Sequence, residues 1–189
     1  VVSGGVNEVD TVCDVEVFRA DGGVLALVPE ANLQGFPAGK CPARHAAVAV
    51  DAQRLIVVGG QTQANNGLPA GAGSADGFFF STTSGFEQTP SLQLFQSLGR
   101  AGHVATMLQD GSILVVGGTT AAGAPTAEML APEAGTGVLR ARVLAGPPTQ
   151  GRDRAAIAVL PTNQVLLSGG HTTTAPFTTT SLAEIYFGP

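Results

Sequence analysis

Arg100-Ala101-Gly102-His103 opens a stretch that continues through Val104-Ala105-Thr106-Met107-Leu108, the polar turn Gln109-Asp110-Gly111-Ser112, and Ile113-Leu114-Val115-Val116 to Gly117-Gly118. Two apolar runs of strand length flank an Asp-Gly pair, which reads as a β-hairpin because glycine tolerates positive φ. A helix would need ten or more residues without such a break. Both runs are almost continuously apolar, as expected where a sheet is covered on both faces.

The same arrangement recurs on either side. His45-Ala46-Ala47-Val48-Ala49-Val50, the turn Asp51-Ala52-Gln53-Arg54 and Leu55-Ile56-Val57-Val58 lead into Gly59-Gly60. Ala155-Ala156-Ile157-Ala158-Val159-Leu160, the turn Pro161-Thr162-Asn163-Gln164 and Val165-Leu166-Leu167-Ser168 lead into Gly169-Gly170. Val1-Val2-Ser3 before Gly4-Gly5 is the remnant of a further copy, so the first glycines are spaced by 55, 58 and 52 residues. A period of that size marks an array of small supersecondary units. After each glycine pair comes a variable polar loop and then a third strand opening with an acid: Glu16, Asp76, Glu128 or Glu184. Fourth strands are expected at Val24 to Val28, Leu92 to Gln96 and Val138 to Val143. Four antiparallel strands in about 50 residues make one propeller blade.

The motif Arg100-Ala101-Gly102-His103, Asp110-Gly111, Val115-Val116-Gly117-Gly118 and Ala127-Glu128 resembles the Kelch family, in particular its bacterial and galactose-oxidase-like branch. Arg44-His45 with Gly59-Gly60 carries the resemblance in the second unit. Arg152, Gly169-Gly170 and Ala183-Glu184-Ile185-Tyr186 carry it in the last. The chain departs from the pattern at Pro42 and Ala155, where other units have Arg and His, and it has no tryptophan. The expected fold is an all-β, Kelch-type propeller segment of about three and a half four-stranded antiparallel blades. Its approximate units are 1–40, 41–98, 99–150 and 151–189, within a single partial propeller. The resemblance implies a ring of six or seven blades, so the rest of the ring is expected from the same polypeptide or from another chain. The open ends at Val1 to Ser3 and Glu184 to Phe187 would leave unpaired strand edges.

Composition narrows the function. Apolar residues make up 44% of the 189, enough for a core, and charged residues only 12%. With net charge −5 and one lysine, Lys40, there is no basic stripe to neutralise phosphates, so nucleic acid is not an expected partner. No apolar run reaches the length of a membrane span, and no signal peptide is visible. The two cysteines, Cys13 and Cys41, are either free thiols or one disulfide closing a loop of about 28 residues, worth roughly 3 kcal/mol. Low lysine content and abundant Thr, Gly and Ser point to an extracellular or periplasmic protein, where such a bond persists.

In blades of this kind the two-to-three and four-to-one loops open on one face. The long segments Gln61 to Ser74, Thr119 to Thr126 and His171 to Ser181 lie there, and loops on a rigid scaffold are the usual place for recognition. Candidate binding residues on that face are Arg44, His45, Asn65, Asn66, Arg100, His103, Arg152, Arg154 and His171. The competing reading is structural: Arg and His recur because each blade needs the same hydrogen bonds to turn carbonyls or to the acid of its third strand. His45 and His103 hold equivalent blade positions, so rotation about the axis separates them, and neither a metal site nor a cofactor is expected. The resemblance to galactose-oxidase relatives implies a copper-radical site of two tyrosines, two histidines and a crosslinked cysteine. With Tyr186 as its one tyrosine, this chain cannot hold that site alone. There is no Gly-x-Ser-x-Gly elbow and no phosphate loop. The preferred expectation is a non-catalytic propeller that binds a protein or a glycan through the loop face. The alternatives are a segment of a copper-radical oxidase whose catalytic residues lie elsewhere, or a structural module of a surface assembly.

Overall fold

The computed structural model describes residues 2–3, 15–21, 24–27, 36, 42–61, 77–87, 99–120, 127–132, 139–144, 151–173 and 178–187. Among these there is no helix. The first unit contributes β1 (Val2–Ser3) paired with β2 (Val15–Glu16), and β3 (Phe18–Asp21) paired with β4 (Val24–Leu27). The second forms a four-stranded antiparallel sheet from β5 (Ala46–Ala49), β6 (Arg54–Val58), β7 (Gly77–Ser81) and β8 (Gly85–Glu87).

The third unit begins with the short β9 (Arg100–Ala101) and continues through β10 (Val104–Met107), β11 (Ile113–Val116), the short β12 (Thr119–Thr120), β13 (Ala127–Pro132) and β14 (Leu139–Val143). The fourth has the short β15 (Arg152–Asp153), then β16 (Ala156–Val159), β17 (Gln164–Ser168), the short β18 (His171–Thr172) and β19 (Ala183–Phe187). Sheet order is β10-β11-β13-β14 in the third unit and β16-β17-β19 in the fourth. This up-and-down order is that of propeller blades, and among the described residues the sheets do not close into a ring.

The hairpin turns read from sequence form as expected. Gly111 and Asn163 both take positive φ, at 82° and 60°. Asp51 caps its own turn by accepting from the amides of Gln53 and Arg54, each at 2.8 Å. The second blade differs from expectation in its fourth strand. A tight turn at Thr82–Ser84 returns the chain directly into β8, and Leu92 to Gln96 lies outside the described residues.

Three apolar layers separate successive units. Val15, Val17 and Phe36 pack with Val57 and Phe80 of the second blade. Val48, Ile56 and Val58 of the second pack with Ile113, Val115 and Leu130 of the third. Leu114, Val116, Ala127 and Met129 of the third pack with Val165 and Leu167 of the fourth. Alternate residues of one strand thus face opposite neighbours, which explains why β6 and β11 are apolar at successive positions.

Candidate functional site

Short strand pairs set the base of the loop face. Ala43 bridges to Gln61, β9 pairs with β12, and β15 pairs with β18. In each of these three units the segment entering the first strand is therefore bonded to the segment leaving the second, so the roots of the four-to-one and two-to-three loops lie side by side.

At this base three residues repeat one backbone geometry. Arg44, Gly102 and Arg154 have φ of 56°, 73° and 55°. The Gly102 amide donates to the Arg44 carbonyl at 2.7 Å, and the Arg154 amide to the Gly102 carbonyl at 2.8 Å. A second set runs in parallel: the Gly60 amide donates to the Arg100 carbonyl at 2.8 Å and the Gly118 amide to the Arg152 carbonyl at 2.6 Å. Two chains of backbone hydrogen bonds thus link the second, third and fourth blades.

The arginines and histidines singled out by repetition serve this frame. The Arg44 guanidinium extends past the third blade and donates to both carboxylate oxygens of Asp153 in the fourth, at 2.8 and 2.7 Å. It passes directly over Gly102, where any Cβ would collide with the Asp153 carboxylate. Arg100 is fully buried, donating to Glu128 at 2.8 Å and to the Gly117 carbonyl at 3.2 Å. Burial pushes the Glu128 carboxyl upward and the Arg100 guanidinium downward from their ordinary values, and their mutual attraction opposes both shifts. Arg152 repeats the arrangement, pairing with Glu184 at 3.0 Å and donating to the Leu182 carbonyl at 2.8 Å. Glu184 also accepts from the Tyr186 hydroxyl at 2.9 Å, so the chain's single tyrosine is engaged within the blade. Burial, followed by this bond to Glu184, holds the hydroxyl above the usual tyrosine range.

His103 donates from Nε2 to the Val58 carbonyl of the preceding blade at 3.0 Å. Burial first, and the Arg100 charge second, push its pKa down to about 3, so it is neutral at physiological pH. His45 donates from Nδ1 to the Pro42 carbonyl at 3.1 Å and lies edge-on to Phe36. Its pKa is also lowered, by burial. Two candidates face outward. Arg154 has its side chain 58% exposed and only a 3.8 Å approach to Asp153, and His171 is exposed in β18 opposite Asp153. Asn65, Asn66, Cys13 and Cys41 lie outside the described residues.

Register explains one departure from the repeat. Glu128 lies opposite Val115 and Glu184 opposite Leu167, whereas Phe78 lies opposite Val57. In the second blade the acid position is therefore Phe78, and the matching arginine position is Pro42. Both partners of the ion pair are apolar there together, a change that buried pairs tolerate far better than loss of one partner. Asp76, which the sequence alignment placed at this position, lies outside the described residues. Among the described residues no group of three His, Cys, Asp or Glu is arranged to hold a metal ion, and no helix is long and apolar enough to cross a membrane.

No family model and no curated protein matches the chain. Solved structures do. YjhT is 15% identical, with a TM-score of 0.54 over 80% of this chain and 43% of that one. A fungal alcohol oxidase of the AA5 family, in complex with copper, is 18% identical, with a TM-score of 0.53 over 72% of this chain and 29% of that one. A chain from a complex of RAG with one melted and one unmelted RSS is 15% identical, with a TM-score of 0.52 over 97% of this chain and 66% of that one. The chain thus spans less than half the length of the first two, and at these identities the likeness is one of fold, consistent with a Kelch-like propeller.

Proposed function

We propose that this region is a non-catalytic, Kelch-like propeller scaffold that binds a protein or a glycan through the face carrying the two-to-three and four-to-one loops. The observation that carries the reading is the welded loop base. Ala43–Gln61, β9–β12 and β15–β18 tie the roots of both loop types of three units to one rigid platform, while Arg44, Arg100 and His103 beneath are committed to carbonyls and carboxylates. Variable polar loops on a rigid base are what recognition requires. The single lysine and the Thr- and Gly-rich loops support an extracellular or periplasmic setting.

The test is binding of the immobilised chain to a glycan array and to secreted proteins of its source. It is compared with a variant whose residues 62–76 and 121–126 are replaced by Gly-Ser segments of equal length. Binding lost in the variant, with an unchanged melting temperature, supports the reading. Binding that survives the replacement overturns it. The likeness to the copper-containing fungal oxidase favours a second reading, a scaffold portion of an oxidase with its catalytic residues elsewhere in the polypeptide. Copper-dependent oxygen consumption by the native polypeptide would establish that reading over the first.

A further inference from the structure

Among the described residues, the loop base carries one more arginine than its acids balance. Arg100 is paired with Glu128, Arg152 with Glu184, and Arg44 with both oxygens of Asp153. Each of these carboxylates thus has its own guanidinium. Arg154 is the remaining cation, and its approach among the described residues is to Asp153, at 3.8 Å. Asp153 is already neutralised by Arg44, so the charge of Arg154 is left over, in a chain whose net charge is −5.

The backbone sharpens the point. Arg154 has φ 55°, a left-handed conformation that costs free energy for any residue with a Cβ. The frame does not need an arginine there. Its contribution is the amide bond to the Gly102 carbonyl at 2.8 Å, which a glycine makes equally well, and glycine is what the third blade has at the same place. Arg44 holds the same conformation but gains a doubly bonded ion pair with Asp153. Arg154 gains no such pair, and its side chain is 58% exposed. Strain kept without a return in stability points to a role outside the fold. His171 stands beside it: exposed, and opposite Asp153 in the β15–β18 register, so its ring lies on the Asp153 side of the strand pair.

We infer that Arg154, with His171 beside it, is the contact point of the loop face for a ligand carboxylate, and that this carboxylate belongs to an acidic side chain of a protein partner. A guanidinium is a planar fork of donors that matches a carboxylate with two parallel hydrogen bonds, and an imidazole adds a further donor. One surplus positive charge balances a monoanion, whereas a phosphate near its dianionic form would leave the site negative. The protein source follows from the acceptors. A sugar binds largely by donating its hydroxyls, and Glu128, Glu184 and Asp153 are already committed to arginines. An acidic side chain brings acceptors alone and asks only for donors, which is what Arg154 and His171 offer. The inference rests on the loop-face reading and selects protein from its two ligand classes.

Fluorescence anisotropy with a labelled oligoglutamate peptide, read on the native polypeptide together with its melting temperature, tests it. The peptide should bind and its glutamine analogue should not. Arg154→Gly should weaken binding by about tenfold to a hundredfold, the worth of a charged hydrogen-bonded pair. The same variant should melt at an unchanged temperature or about 2–4 °C higher, because it relieves the strain at this position. Arg154→Lys should retain part of the affinity, and His171→Gln should lose less than Arg154→Gly. Undiminished oligoglutamate binding by Arg154→Gly would overturn the inference. So would a lowered melting temperature in that variant, which would make Arg154 a structural residue, and so would binding of an oligoglucuronate in place of the peptide, which would make the ligand a glycan. Partner binding that needs the loops but not Arg154 would overturn this inference alone. Oligoglutamate binding that needs Arg154, with partners indifferent to the loops, would support it and overturn only the loop-face reading.

Discussion

The third and fourth blades share the order of their first three strands, turn geometry and an Arg–Glu pair, yet among the described residues only the third is covered on both sides. Leu114 and Leu166 hold the same register position, opposite Met129 and Ile185. Leu114 is buried, whereas Leu166 is only half-buried and Ile185 is exposed. The arginine does not follow this trend: Arg152 is as deeply buried as Arg100 although Ile185 of its blade is exposed. The comparison separates two kinds of stabilisation. The ion pair sits within a blade, at the root of its loops, and belongs to the blade. The aliphatic layer belongs to the array, because it forms only where a neighbour exists.

The sharpest way to break this comparison is to remove one member of each ion pair. Arg100→Met leaves Glu128 buried without its cation and should cost about 3–5 kcal/mol in chemical denaturation. Arg152→Met should cost less, because the partly exposed Glu184 can recruit water. The double variant Arg100→Met with Glu128→Leu should recover most of the loss, as the second blade does naturally with Pro42 and Phe78. Equal costs in the two blades would contradict the assignment. Next in size, Leu114→Ala should destabilise by about 2–5 kcal/mol. In the 189-residue chain the matched Leu166→Ala should fall below about 1 kcal/mol, as for a site without a packed neighbour.

Smaller effects come from the glycine pairs. Gly169→Ala should cost only the strain of a non-glycine residue at φ 64°, about 1 kcal/mol. Gly117→Ala should cost more, because its Cβ would strike the Arg152 carbonyl of the next blade. Matching melting temperatures for these two variants would dissolve the distinction between covered and bare faces. The gentlest effect over a single pH unit concerns His103, which has Ala155 as its counterpart in the fourth blade. Its folded pKa, about 3, lies below the unfolded value near 6.5. The unfolded state therefore binds the proton first. The stability contributed by neutral His103 is complete above pH 6.5 and is lost as pH falls towards 3, by at most about 1.4 kcal/mol per pH unit. His103→Gln should flatten that slope in urea titrations between pH 6.5 and 5.

Much of the architecture was legible because it rests on local chemistry. Gly59-Gly60, Gly117-Gly118 and Gly169-Gly170, with Gly111 and Asn163 in the hairpin turns, mark places where the backbone must take positive φ, and each of these residues does. The register of third strands was less legible, since it depends on the length of the loop before them. In the second unit the sequence suggested Asp76 as the acid, while pairing puts Phe78 opposite Val57. β8 was missed because a short turn ending at Gly85 is a weaker signal than the more apolar run at Leu92 to Gln96. The repeated arginines and histidines were visible, but their partners were not. Arg44 finds Asp153 across 109 positions of sequence, and His103 finds the Val58 carbonyl across 45. Nothing short of the three-dimensional register reveals that Arg44 and Arg154 share the backbone conformation of Gly102.

The Arg44–Asp153 contact has a consequence for how such an array comes apart. Stacked repeats are usually described by nearest-neighbour couplings alone, so that units can fray one after another from an end. A bond from the second blade to the fourth, lying across the third, adds a coupling between units that do not touch through their sheets. Peeling the fourth blade away must break this tether as well as the adjoining layer, and a distortion of the third blade is felt by both of its neighbours at once. Cooperativity in this chain is thus written partly into a single guanidinium that bypasses its nearest neighbour.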